Sequence, residues 1–139
     1  MQERSPRHVL NYRRRFIGLV VCLAPVLLLV ASLAFGLSWQ RSLTSGLGWT
    51  FAAAVLGLFN FHLSFVRPLL FRWRYGSLEQ YRHVSGVPVF GTLLVLVGGL
   101  LGFGAVITAS VGLVAILLDT GSPFWFLLAT WKDSSFWDA

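Results

Sequence analysis

The sequence predicts an all-α integral membrane protein: one domain over residues 1–139, a bundle of about four transmembrane segments whose last is broken at Asp119-Thr120-Gly121-Ser122-Pro123. Three observations carry this expectation. Hydrophobic residues fill 56% of the 139 positions and charged residues 12%, with a mean hydropathy of +0.74; soluble domains carry about a quarter charged residues. No charge falls between Val84 and Leu118, a run longer than the ~20 residues that cross a bilayer. The stretches between apolar runs are too short to enclose a core of their own.

Residues 1–15 hold Arg4, Arg7, Arg13, Arg14 and Arg15 against Glu3 alone, which the positive-inside rule places in the cytoplasm. The first span follows at 16–37, too long for a signal-peptide core and without a clear cleavage site, so it reads as a retained anchor. Pro25 near its middle removes one helical hydrogen bond and kinks the helix. Cys22, the single cysteine, reads as a small packing residue. Trp39 and Trp49 flank a short loop, Ser38 to Leu47, whose one charge is Arg41, an aromatic belt at the outer face.

The second span covers 48–66, with Ala52, Ala53, Ala54 and Gly57 offering a small-residue surface for close helix contact. Asn60 and His62 interrupt it. Polar groups at this depth face protein or water, so the pair reads as interhelical hydrogen bonding by Asn60 with His62 near the interface, or as either one lining a transport path. Two residues apart on a helix, they point about 200° from each other and share no site. Arg67-Pro68 closes the span. A second cytoplasmic segment, 67–85, carries Arg67, Arg72, Arg74 and Arg82 against Glu79, arginines suited to lipid headgroups or to a docked protein. Within it Ser77, three residues before Gln80, has the spacing of a helix N-cap.

In the long apolar run Gly91, Gly98, Ala105 and Gly112 recur every seven residues, and Gly98 with Gly102 forms a GxxxG pair. Such a stripe packs helices within the chain, or between chains if it faces outward. The preferred division is a third span at 88–107, a turn near Thr108-Ala109-Ser110 and a fourth span at 111–131. One long tilted helix ending at Leu118, and a hairpin of short helices turning near Gly102, are the alternatives; either leaves Phe124 to Trp131 interfacial or re-entrant. Asp119 is the only acid in an apolar segment. It sits either near the midplane, where Gly121 and Pro123 break the helix and create a ligand or ion site, or at a turn in which Ser122 and Pro123 start the next helix as N-cap and N1. The tail from Lys132 is amphipathic and interfacial.

No P-loop, HExxH, CxxC or GxSxG motif occurs, and a lone Asp-Thr-Gly lacks the second carboxylate of an aspartic protease. The chain therefore reads as a non-enzyme with no cofactor and no metal. Its formal charge of +6 belongs to topology and headgroups rather than nucleic acid. The stretches Arg67-Pro68-Leu69-Leu70-Phe71-Arg72-Trp73-Arg74-Tyr75-Gly76-Ser77, Tyr81-Arg82-His83-Val84-Ser85-Gly86 and Asp119-Thr120-Gly121 resemble small polytopic proteins of the bacterial inner membrane. That resemblance implies no assigned chemistry, but its class includes immunity partners of secreted antibacterial toxins. Two functions follow as expectations. One is binding of a protein partner, a toxin above all, or self-association. The other is an oligomeric carrier or channel subunit that uses Asp119, with Asn60 or His62 along the path.

The arginine distribution makes the topology testable. Cysteine-accessibility labelling is expected to reach Ser45 from outside intact cells and to miss Ser5 and Ser77. Labelling of either of the latter by an impermeant reagent would overturn the orientation.

Overall fold

A computed structural model describes residues 11–39, 45–82, 84 and 86–137. Among these the chain is all helical: α1 Tyr12–Trp39, α2 Leu47–Phe61, a π-helical turn at His62–Val66, α3 Arg67–Tyr75, α4 Phe90–Leu101, α5 Val106–Leu118, α6 Pro123–Thr130 and α7 Ser134–Trp137. Most of the expected N-terminal segment 1–15, and most of the expected outer loop with Arg41, lie outside the described residues. So do His83 and Ser85.

Among the described residues two helices are long and apolar enough to cross a membrane, α1 and the continuous run Leu47–Tyr75; α5 with α6, bent by 44° at their break, makes a third when counted as one. At 1.5 Å per residue, α1 is about 42 Å long. The chain is thus a membrane protein by the length and apolarity of its helices. By contrast α4, with 12 residues, reaches only about 18 Å.

Three expectations are corrected here. The helix of the second span does not end at Arg67-Pro68: it runs on through a π-helical turn to Tyr75. A proline inside an α-helix removes a hydrogen bond and presses on the carbonyl four residues back. The wide turn just before it changes the bonding pattern, with Arg67 N donating to the His62 carbonyl, and Pro68 then falls in the first turn of α3, where its N–H is not needed. Second, no turn forms at Thr108-Ala109-Ser110, which lie inside α5. The chain instead reverses over residues 102–105, so the expected span 88–107 is interrupted. Gly104 takes a left-handed conformation there (φ +85°), and its N–H donates to Ser32 Oγ of α1 at 2.9 Å. The hairpin turning near Gly102 is the observed form. Third, Ser77 caps no helix: it follows Gly76, the left-handed residue that terminates α3 (φ +77°), and residues 77–82 are non-helical.

The α4–α5 hairpin lies between α1 and α2, and α2 packs most extensively on α5. Backbones touch. A Cβ on Gly98 would stand 2.7 Å from Thr50 Cγ2 and 2.8 Å from the Gly46 carbonyl, and one on Gly112 would stand 2.9 Å from Leu29. A Cβ on Gly102 would stand 2.8 Å from Thr108 Cγ2, and Ala105 is buried at the start of α5. Leu29, Ala53, Val95, Ala115 and Ile116 complete this core.

A second cluster closes the opposite end. Trp137 is buried with Cys22 and Leu127 and lies against Gly18, while its indole N–H donates to the Thr130 carbonyl at 2.7 Å. The Arg14 guanidinium sits 5.6 Å from the Phe136 ring and that of Arg15 5.7 Å from Trp131. Residues 131–137 therefore occupy the same end of the bundle as the start of α1. Asp133 accepts the Ser135 hydroxyl and N–H, and that hydroxyl first of all holds its carboxyl below the ordinary aspartate value.

Replacing Gly98 by Leu is expected to cost more than the ~1–3 kcal/mol of ordinary overpacking, because backbone rather than a flexible side chain blocks the space. Gly48→Ala, whose Cβ meets nothing within 4 Å, should leave unfolding in detergent unchanged or raise it slightly through helix propensity. Equal effects at both positions would refute this packing.

Candidate functional site

Three departures from regular helix, and the proline inside α1, fall at one level of the bundle. The proline is Pro25, buried; in the second long helix the departure is the π-helical turn that begins two residues after Asn60. Before α4 it is the non-helical approach 86–89, which turns at Pro88-Val89, and between α5 and α6 the break at residues 119–122. Contacts place them together: Cys22, Pro25, Thr92, Ser122 and Pro123 border one void, and Asn60 bonds to residues of the approach and of the break.

Irregular backbone at this depth must find partners within the protein, and Asn60 supplies both of those at Val87. Its amide N–H2 donates to the Val87 carbonyl at 3.1 Å and its Oδ1 accepts the Val87 N–H at 2.9 Å, so one side chain serves Val87 as a neighbouring β-strand would. The second amide hydrogen goes to Asp119 Oδ1 at 2.6 Å. Asp119 Oδ1 also accepts the Gly121 N–H at 3.1 Å. The Gly121 carbonyl takes the Val89 N–H at 3.2 Å, the Asn60 carbonyl takes the Thr120 hydroxyl at 3.2 Å, and the Ser64 and Thr120 hydroxyls share a 2.8 Å bond. Across the break, the Trp125 indole N–H donates to the Leu117 carbonyl at 3.0 Å.

Asp119 and Asn60 are 1% and 0% exposed; this is a buried polar junction, not a surface turn. Close approach requires small residues around it. A Cβ on Gly86 would collide with Asn60 Oδ1 and one on Gly91 with Asp119 Oδ2; on Gly57 it would stand 2.9 Å from the Ala115 carbonyl, and on Gly121 3.3 Å from Asn60 Nδ2. Val89, which opens α4, holds a left-handed φ of +70°, a conformation costly for a β-branched residue and one that marks constrained sites. Ser122 stands at the N-cap of α6 with Pro123 in its first turn, yet its hydroxyl makes no capping bond. Beside the junction, Ser64, Gly86, Pro88, Thr120 and Gly121 border an open cleft of about 260 Å³.

Of the residues singled out by sequence, the structure brings Asn60, Asp119, Thr120 and Gly121 into one network, with Gly91 against it and Ser122 and Pro123 at its edge. His62 is exposed and outside it. Gly98, Gly102, Ala105 and Gly112 belong to the packing at the other end. Arg72, Arg74 and Arg82 are exposed, and so is Arg67, whose guanidinium sits 5.9 Å from the Tyr81 ring. Ser64, Val87 and Gly86 had no role assigned from sequence. Ser64 had a signal, its spacing of four from Asn60, which puts both on one helix face; the partnership with Val87 left none. Among the described residues no group of three His, Cys, Asp or Glu side chains suits a metal.

Comparison with protein-family models, with curated proteins and with solved structures finds no match for this chain.

Asn60→Leu would strip the side-chain partner from the Val87 N–H and the Val87 carbonyl and leave Asp119 Oδ1 with the Gly121 N–H alone. At ~1–3 kcal/mol for each buried group left unpaired, the loss is expected to be several kcal/mol and to show as a large drop in thermal stability in detergent. Ser64→Ala, at an exposed position, should cost under about 1 kcal/mol. Similar stabilities for the two variants would contradict the junction.

Proposed function

We propose that this chain is a non-enzymatic, multi-pass protein of the bacterial inner membrane that acts by binding another protein, most concretely as the immunity partner of a membrane-acting antibacterial toxin. In this reading the chain crosses four times. Its crossings are α1, α2 with the π-helical turn, α4 with the non-helical residues 86–89 before it, and α5 with α6. The arginine-rich start and the 67–85 segment face the cytoplasm, as the charge bias supports.

The observation that carries the reading is where the structure is filled and where it is open. The interior around α2, α4 and α5 is closed by contacts at backbone distance, down to Gly46 against the Gly98 carbonyl. Exposed aromatic and basic side chains lie on the outside of α3 and the segment after it. There Trp73 is 87% exposed, a groove of about 520 Å³ runs along Leu70, Trp73 and Arg74, and a second of about 480 Å³ is bordered by Phe71, Tyr75, Ser77, Glu79 and Gln80. Exposed tryptophan, tyrosine and arginine are the side chains that dominate protein interfaces. A second reading, an oligomeric carrier or channel subunit, is favoured by one feature: Asp119, buried at a broken helix.

Expression of the chain is expected to protect cells from a toxin encoded beside its gene, and Trp73→Ala with Arg74→Ala to lower survival at least tenfold at unchanged membrane levels. Absence of protection, together with Asp119-dependent ion flux in liposomes, would replace the binding reading with the carrier reading.

A further inference from the structure

The first turn of α1 and residues 131–137 meet over a row of aromatic rings packed edge to face. Trp137 lies against Trp131 with centroids 6.2 Å apart and against Phe136 at 5.2 Å, and Phe136 lies against Phe126 at 5.3 Å. Two guanidinium groups sit over this row, Arg14 above Phe136 at 5.6 Å and Arg15 above Trp131 at 5.7 Å. Arg15 also donates a long hydrogen bond, 3.4 Å, to the Trp131 carbonyl. One short segment thus sets the position of two neighbouring arginines. A guanidinium over a ring uses its flat face there and can still offer in-plane N–H groups to a phosphate. Trp131 and Phe136 are themselves exposed, so the stacked pair lies at the surface of the protein.

Charge, depth and the neighbouring surface identify what these arginines face. Arg13 and Lys132 adjoin them in sequence, which makes four cations against Asp133 among the described residues of the two segments, and Asp133 Oδ1 already accepts the Ser135 hydroxyl and N–H. At ~42 Å, α1 is longer than a hydrocarbon core of ~30 Å, so its arginine-bearing turn stands in the headgroup layer. One turn deeper the surface is apolar: Phe16, Ile17 and Val20 of α1 and Leu128 of α6 are exposed, on two helices that pack together through Cys22 and Leu127. A cationic rim that passes within one helical turn into bare apolar side chains is complementary to an amphiphile with an anionic head. Free phosphate would match only the rim, and a water-soluble partner would match only the rim as well. Membrane orientation requires the charges, but not that two of them be fixed on rings.

We propose that Arg14 and Arg15, held over Phe136 and Trp131, form a binding site for the phosphate headgroup of one anionic phospholipid, whose chains run along the exposed apolar side chains of α1 and α6. Basic sites between membrane helices hold such headgroups. The bound lipid bridges the first helix and the last segment of the bundle. It lies on elements other than α3 and the segment after it, so it does not depend on the partner-binding reading of that surface.

Thermal unfolding of the full chain in an uncharged detergent, titrated with phosphatidylglycerol, phosphatidylcholine or inorganic phosphate at equal ionic strength, tests the site without reference to flux or protection. Phosphatidylglycerol is expected to raise the melting temperature in a saturable way, and phosphatidylcholine and inorganic phosphate are not. Arg14→Gln combined with Arg15→Gln should weaken the apparent affinity for phosphatidylglycerol at least tenfold. Arg72→Gln combined with Arg74→Gln, which removes the same charge from α3, should leave it unchanged. An equal rise with phosphatidylcholine or with inorganic phosphate overturns the site, as does an effect of phosphatidylglycerol that survives in the Arg14 and Arg15 variant or falls equally in both variants. Should the glutamine pair at 14 and 15 fail to fold, Arg14→Lys combined with Arg15→Lys decides: it keeps the charge and loses the planar fork, so affinity should fall at least threefold, and unchanged binding in that variant equally overturns the proposal.

Discussion

The fold depends on one side chain serving a stretch of backbone that is not helical. Within hydrocarbon every N–H and C=O must be satisfied by the protein, which favours unbroken helices. This chain departs from that rule in the approach to α4 and again between α5 and α6, and Asn60 covers both departures by pairing with Val87 and Asp119. An asparagine is suited to this because its amide presents the same donor and acceptor as a peptide group. The remaining free groups are met one by one, by the Thr120 hydroxyl and the Trp125 indole. The break is therefore a bonded structure in its own right rather than an absence of helix.

The glycines divide the labour. At the hairpin end Gly46, Gly98 and Gly102 permit backbones to touch, where association in lipid is driven by packing rather than by expulsion of water. At the junction end Gly57, Gly86, Gly91 and Gly121 make room for two polar side chains instead. One residue type thus provides dispersion contacts at one level and hydrogen-bond geometry at another. That explains why a stripe of period seven crosses an interrupted helix: Gly91 belongs to the junction, Gly98 to the hairpin contact with α2 and Gly112 to the face on Leu29.

Much of this was legible in the sequence because it rests on solvent and on strong breakers. Helical class and membrane residence follow from apolar length, and the interruption at Asp119-Pro123 from glycine and proline. The turn at residues 102–105 was visible as one of several options, since Gly102-Phe103-Gly104 is a breaker and a packing motif at once. Other features were not legible for a physical reason. Pro68 ends a helix by its local chemistry, and only the preceding wide turn lets the helix continue. Asn60 and Asp119 are 59 residues apart, so nothing in either neighbourhood announces the other. Reading Asn60 against His62 compared nearest neighbours, whereas helical geometry pairs it with Ser64.

The clasp between Trp131–Trp137 and the first turns of α1 also sets an order of events during synthesis. α1 leaves the ribosome first and enters the bilayer with Gly18 and Cys22 uncovered, since their partner Trp137 follows more than a hundred residues later. Arg14 and Arg15 hold that end at the water interface meanwhile. Every intervening helix is thus made before the opening one gains its contact with Trp137.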